Sequence, residues 1–167
     1  FDGLSKVIHI GSFSKTLSAS VRVGYIAAKP EWSEALVDLK IATTFAGGRL
    51  AQELVWHALT DSAYRKHVEA MRVRLAQAMQ TVVPKLQALG IEPWLLPTAG
   101  IFVWCRLPAG CDAALVAQAC LQQGLVLAPG NAFSLSQNAA DCLRFNVAQC
   151  LDERVFTVLA RVLAASA

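Results

Sequence analysis

Charge is scarce in this chain. Asp, Glu, Lys and Arg make up 16% of its 167 residues, against about 25% in an ordinary soluble domain. The formal net charge is only +3, and the basic residues form no long block. This balance gives little support to a nucleic-acid partner. Long apolar runs are missing as well. No stretch approaches the ~20 residues of a membrane span, and no charged–apolar–small signal pattern starts the chain. The cysteines (Cys105, Cys111, Cys120, Cys142 and Cys150) contain no C-x-x-C pair, and an odd number closes no complete disulfide set. They are expected as buried or half-buried free thiols of a reducing cytoplasm. The histidines form no metal-binding or nucleophilic constellation. His57 and His67 are expected on helix surfaces, and His9, between Ile8 and Ile10, as a satisfied, half-buried strand residue.

What is present is apolar. Hydrophobic residues reach 55%, more than a domain of this size needs to bury about 70% of its unfolded surface. The excess predicts a surface meant for more of the same polypeptide, for a second subunit, or for both. The chain opens on Phe1 rather than Met, which reads as part of a longer protein.

Periodicity supplies the elements. Residues 7–10 and 23–28 are short, β-branched-rich runs bounded by Gly, Ser and Pro, which predicts two strands. Pro30 opens a helix, with Glu31 in its first turn and Trp32, Ala35, Leu36, Leu39 and Ala42 at helical spacing. Residues 43–48 break that helix and predict a boundary between two lobes. A long helical region follows, its stripe marked by Tyr64, Val68, Met71, Leu75, Ala78 and Val82. Pro84 is expected to kink or split it and Gly90 to end it. Further strands are expected at residues 92–96, 101–106, 125–128 and 142–147. Helices are expected at 112–123 and 152–165, each started by an aspartate. Strands alternate with helices, so the class is α/β, with a second lobe closer to α+β.

The chemistry concentrates where the first strand opens into a loop. Ser12-Phe-Ser-Lys15 puts an amine beside two hydroxyls, and the guanidinium of Arg22 follows seven positions later, just before the second strand. A lysine at the end of a buried strand tends toward its neutral, nucleophilic form. A planar guanidinium and hydroxyls suit a phosphate dianion. Such a spot fits a phosphate-bearing aldehyde held covalently by the amine, and pyridoxal 5'-phosphate is that cofactor. Each piece alone is weak. Ser-x-Ser-Lys is a common string, and a lone arginine before a strand is usually a surface residue.

The combination is more specific. S-F-S-K, six residues, then R-x-G between two apolar strands resembles the surroundings of the cofactor lysine in fold-type I pyridoxal phosphate enzymes, the aspartate-aminotransferase-like family. The resemblance implies that Lys15 is the catalytic, cofactor-holding lysine and that Ser12, Ser14 and Arg22 lie near the phosphate. On its own residues, Arg144 in Leu143-Arg-Phe-Asn-Val147 reads as a core-edge arginine paired with a carboxylate. The resemblance instead makes it the arginine, in a strand before the final helix, that grips a substrate α-carboxylate bidentately. Pro97-Thr-Ala-Gly-Ile-Phe-Val-Trp104 is similar to the family's P-x-G-G-x-F-x-W stretch, with Ala99 where a first glycine is common. Pro129-Gly-Asn-Ala-Phe133 resembles its P-G-x-x-F loop near the substrate, although a tight turn with an apolar plug explains it equally.

The resemblance covers the C-terminal part of the aspartate-aminotransferase-like fold. It implies the last strands and linking helix of the large pyridoxal phosphate domain in residues 1–46, and the α+β small domain in 47–167. The acid that holds the pyridine nitrogen and the aromatic stacked on the ring belong upstream in this family, so the fragment alone is expected to be inactive. The wording G-S-F-S-K-T-L-S-A-S-V-R-V-G-Y, with L-R-F-N-V-A, is most similar to MocR-type regulators of the GntR family. These join a winged-helix DNA reader to an aminotransferase-like, ligand-sensing domain. Free-standing aminotransferases of the 2-aminoadipate type are the alternative. Either implies an amino acid or amine ligand, a homodimer in the intact protein and a cytoplasmic location without membrane association. DNA would be met only through an N-terminal winged helix that no residue here supplies. Ser12-Phe-Ser-Lys15 also satisfies the S-x-x-K pattern of penicillin-recognising serine acyl hydrolases, but the S-D-N and K-T-G elements of that class do not occur. A structural domain that has lost the cofactor is the remaining rival.

Overall fold

A computed structural model describes residues 2–45 and 47–166 and divides them into two compact units, one ending at Glu69 and the other starting at Ala70. Ala46, at which the boundary expected from the sequence falls, lies outside the described residues.

The first unit begins with β1 (His9–Ser12) and β2 (Gly24–Ala27), an antiparallel pair in register from His9 opposite Ala27 to Ser12 opposite Gly24. The first strand lies two residues later than the apolar run 7–10, because pairing with β2 and not apolarity sets its ends. Glycine is required at position 24, where a Cβ would stand 2.7 Å from the Gly11 carbonyl oxygen. Helix α1 (Pro30–Thr44) starts with its proline in the first turn, where the missing N–H costs nothing. It stops at Phe45, whose φ of 57° cannot continue a right-handed helix. The long helical region is two helices, α2 (Arg49–Thr60) and α3 (Ser62–Gln87). Asp61 separates them, its Oδ1 accepting the Ala63 N–H at 2.8 Å as an N-cap does. Among the described residues of this unit only Val55 is a buried apolar side chain.

The second unit contains the core. Its sheet has the order β3-β4-β6-β5, with β3 (Glu92–Pro93), β4 (Phe102–Arg106), β5 (Ala128–Pro129) and β6 (Cys142–Asn146), and every pairing is antiparallel. This is the α+β lobe expected. Helix α4 (Ala113–Gln122) is capped by Asp112, whose side chain accepts from the N–H groups of Ala114 and Leu115. Helix α5 (Glu153–Ser166) closes the chain, with Asp152 Oδ1 taking the Arg154 N–H at 2.9 Å. Pro84 does not split α3. It sits in the last turn, so the bond it cannot donate to the Gln80 carbonyl is lost with only three helical residues beyond it. Gly90 follows with φ +74°, and Ile91 N–H closes the helix end onto the Leu86 carbonyl.

The period-2 alternation of strands assigns the two faces of this sheet. Val103, Cys105, Leu143 and Phe145 point inward and pack with Val82 and Leu86 of α3, Val116 of α4 and Leu159 of α5. Phe102, Trp104 and Arg106 lie on the other face, opposite Asn146, Arg144 and Cys142 respectively. That outer face carries the second group of functional candidates.

Candidate functional site

The first group occupies the loop between β1 and β2. Phe13 N–H donates to the Val23 carbonyl at 3.1 Å, one step beyond the last strand pair, and so closes the loop. The N–H groups of Thr16 and Leu17 donate to the Phe13 carbonyl at 3.3 and 2.8 Å, winding the stretch that bears Lys15 into one helical turn. A 3-10 turn follows at Ala19–Val21, capped by Ser18 Oγ accepting from Ser20 N–H at 3.2 Å. Arg22 then adopts φ 49°, ψ 38°. A residue with a Cβ reaches this left-handed region at a cost of about 1–2 kcal/mol, so the closed loop around it must hold it there.

The loop carries four sequence-predicted residues, Ser12, Ser14, Lys15 and Arg22, of which Ser12 and Ser14 are in contact. Ser12 Oγ accepts the Ser14 N–H at 3.2 Å. A further contact, not foreseen, comes from α3. The Tyr64 hydroxyl donates to Thr16 Oγ1 at 3.0 Å, next to Lys15 in sequence. The burial expected around Lys15 is not found: Lys15, Ser12 and Arg22 are exposed, and only Ser14 is half-buried. The reason lies in the strands. β1 and β2 make only a two-stranded sheet, and Ile10 remains 72% exposed. His9 departs from expectation in the same way. It is exposed and meets the Tyr25 ring edge-on at 5.5 Å instead of sitting satisfied in a core. An amine, hydroxyls and a guanidinium on one closed loop are a donor set that fits a phosphate-bearing aldehyde.

Arg144, the fifth predicted residue, belongs to the second unit. It lies in β6 between Trp104 of β4 and Ala128 of β5. Its guanidinium carbon stands 4.2 Å from the centroid of the Phe102 ring and 3.9 Å from that of Phe133. Its Nε is buried and has no hydrogen-bond partner among the described residues. No ion pair of Arg144 occurs among the described residues, so the carboxylate partner suggested by its residue context alone is not there. Leaving a buried N–H unpaired costs about 1–3 kcal/mol. Arg106, two residues along the same face of β4, shows the contrast. It stacks on Trp94 at 4.7 Å and has its carboxylate, Asp141, at 3.0 Å. One arginine of this face is neutralised within the chain and the other is left open.

The two rings on Arg144 were not singled out in the sequence as its partners. Phe102 was legible in principle, since the F-x-W spacing puts it on the face of Trp104. Phe133 comes from a 3-10 turn, Gly130–Phe133, and no periodicity reveals where that turn docks. The described residues hold no cluster of His, Cys, Asp or Glu able to bind a metal, and no described helix is long and apolar enough to cross a membrane. The cysteines are free, with Cys105, Cys120, Cys142 and Cys150 buried and Cys111 half-buried.

Comparison with known proteins identifies the family and the fold. Residues 2–162 match the family described as aminotransferase class I and II. The chain is 26% identical over 162 residues to aromatic-amino-acid aminotransferase 1 of Thermococcus litoralis, covering 93% of this chain and 38% of that protein. It is 35% identical over 106 residues to the HTH-type transcriptional regulator NorG of Staphylococcus aureus, covering 62% of this chain and 24% of the regulator. Among solved structures, the α-aminoadipate aminotransferase LysN of Thermus thermophilus, complexed with N-(5'-phosphopyridoxyl)-L-leucine, superposes with a TM-score of 0.82 at 29% identity, covering 95% of this chain and 42% of LysN. The aromatic aminotransferase of Pyrococcus horikoshii has the same fold, with a TM-score of 0.86 at 23% identity, over 99% of this chain and 45% of that one. The chain thus spans less than half the length of these relatives. It belongs to the aminotransferase class I and II family, as an aminotransferase-like domain of the fold-type I architecture.

Proposed function

We propose that this chain is the pyridoxal phosphate-binding, aminotransferase-like domain of a MocR/GntR-type transcriptional regulator, in which an amino acid or amine is the sensed ligand. Residues 1–46 are assigned to the end of the large cofactor domain and 47–167 to the small domain. The observation that carries the reading is Arg144, a guanidinium beside two rings, with a buried Nε that has no partner and no ion pair among the described residues. Such a group is suited to a ligand carboxylate. The 35% identity to a helix-turn-helix regulator supports the regulatory role over a purely enzymatic one. The second reading, part of a free-standing aminotransferase of the 2-aminoadipate type, is supported by the 29% identity to LysN.

The roles follow from the side chains. Lys15 supplies the amine that holds the cofactor and moves a proton at the substrate α-carbon. Ser12, Ser14 and Arg22 donate to the phosphate, the arginine with its planar fork. Tyr64 fixes the turn that carries Lys15 through its bond to Thr16. Arg144 orients an amino acid by its α-carboxylate. The cofactor, when bound, supplies the electron sink. A homodimer of the intact cytoplasmic protein fits the exposed apolar side chains of the first unit, such as Ile10, Val37 and Ile41.

The test uses the full-length protein. Lys15→Ala is expected to abolish the near-visible absorbance of bound cofactor, and retained absorbance would reject Lys15. Separately, amino acids are added to the wild-type protein while DNA affinity and amino-group transfer to a keto acid are both followed. A shift in DNA affinity without net transfer marks the regulator. Sustained transfer with no DNA binding marks the enzyme.

A further inference from the structure

We infer that Phe102 and Phe133 are positioning residues that make the Arg144 site selective for carboxylate-bearing amino acids over the amines that lack this group. The inference rests on the assignment of Arg144 to a ligand carboxylate. It adds what makes that arginine discriminate.

A guanidinium is flat and donates only in its plane. The centroids of the Phe102 and Phe133 rings stand 4.2 and 3.9 Å from the Arg144 guanidinium carbon, both within cation–π distance. A coplanar carboxylate that meets this in-plane edge forms two parallel bonds. The rings also keep water off the faces of the ion, so the charge-assisted pair is stronger than on an open surface. A ligand amine offers this edge nothing but a second cation.

Each ring is held in place by the backbone that carries it. Phe102 stands on β4, diagonal to Arg144 across a defined register in which Trp104 is its direct neighbour. Phe133 is held by a loop with little freedom. A Cβ on Gly130 would lie 2.3 Å from the Ala139 carbonyl oxygen, so the loop runs hard against the start of β6 and only glycine fits. Asn131 Oδ1 accepts the Ala139 N–H at 2.9 Å, and Gln137 Nε2 donates to the carbonyls of Asn131 and Ser134 at 3.1 and 2.8 Å. The Phe133 ring also meets Trp104 edge-on at 6.0 Å. This ties it to the sheet by a second aromatic contact.

The test is ligand binding to the full-length, cofactor-loaded protein, read from the cofactor absorbance. The probes are matched pairs that share a side chain and differ in the carboxylate: L-phenylalanine with phenethylamine, L-leucine with isopentylamine, and L-lysine with cadaverine. Phe133→Leu keeps the apolar volume and removes the π face. It is expected to weaken the preferred amino acid about tenfold, the scale of one desolvated cation–π contact, and to leave its amine and the retention of cofactor unchanged. Phe133→Tyr, which keeps the ring, is expected to restore the preference. Arg144→Met, which removes the cation, separates the two levels of the argument. If the wild type prefers no amino acid over its amine, or if Arg144→Met keeps the preference, the carboxylate assignment of Arg144 itself falls. If Arg144→Met removes the preference while Phe133→Leu keeps it, or weakens both members of a pair equally, only the role of the rings falls.

Discussion

Two buried thiols, Cys105 and Cys150, behave as core residues and not as reagents. Burial, with smaller contributions from the neighbouring Cys142, Glu92 and Cys150, pushes the Cys105 thiol up to about 12. Burial alone pushes Cys150 up to about 11. An unfolded cysteine ionises near 8.5, so above that pH the unfolded chain binds fewer protons than the folded one, and stability falls as pH rises. The contribution is complete below about pH 8.5 and is lost progressively up to about 11 for Cys150 and about 12 for Cys105. Denaturant midpoints measured on either side of the thiol range are expected to drop in the wild type. They should drop less in Cys105→Ala/Cys150→Ala, which starts from lower stability because of the cavities it leaves. Equal slopes in the two proteins would show that other groups carry the dependence. Native alkylation with iodoacetamide at neutral pH is expected at half-buried Cys111 before any other cysteine.

At the scale of elements, Gly130 sets the position of the Phe133 turn. Its substitution by alanine places a methyl against two backbone oxygens, Ala139 O at 2.3 Å and Cys142 O at 2.9 Å, neither of which is the movable end of a side chain. Overpacking of this kind costs about 1–3 kcal/mol, and relief comes by moving the turn and with it the ring over Arg144. Gly130→Ala should lower the denaturant midpoint and weaken the near-ultraviolet dichroism of the Trp104–Phe133 pair. Gly48→Ala is the control. Nothing lies within 4 Å of a Cβ there and φ is −77°, so a change within about 0.5 kcal/mol is expected. The elements also show what the sequence could and could not reveal. Caps were readable: Asp112 and Asp152 start helices where their spacing to the following apolar positions says they should. Strand ends were not, because they depend on a partner distant in sequence. The apolar run at 125–128 yields a strand only at Ala128–Pro129, since Leu125 N–H is used at the end of α4, donating to the Cys120 carbonyl at 3.0 Å. Likewise β3 ends early, with Trp94 N–H making one more bond to the Trp104 carbonyl before Leu95 and Leu96 turn into solvent. Arg144 read from its own residues only as a core-edge arginine, and its carboxylate-binding role came from the family resemblance. The rings beside it were not legible, since their docking depends on tertiary register and on a turn.

Across the whole molecule the apolar excess seen in composition is distributed unevenly, and this sets how the chain should open. The second unit buries one continuous core, from Ala78 through Val103 and Phe145 to Leu163. The first buries one apolar side chain among its described residues, Val55, and leaves Ile10, Ile26, Val37 and Ile41 at least half exposed. A two-stranded sheet without a covered face is marginal in water, and helices gain most of their stability from a packed face. The backbone bonds of β1, β2 and α1 are therefore expected to open locally in this chain long before those of β4, β6 and α5. Helix α3 should show the gradient within a single element, because its buried residues, Ala78, Val82, Val83 and Leu86, all lie in its second half. Native-state hydrogen exchange on the 167-residue chain checks this amide by amide. Slow exchange is expected at Val103, Phe145 and Leu159, intermediate rates near Tyr64, and fast exchange at Ile10 and Ile26. Protection at Ile10 equal to that at Phe145 would mean that the exposed strand pair draws stability from something other than buried apolar surface. The solvent-facing reading of the Lys15 loop would then have to be abandoned with it.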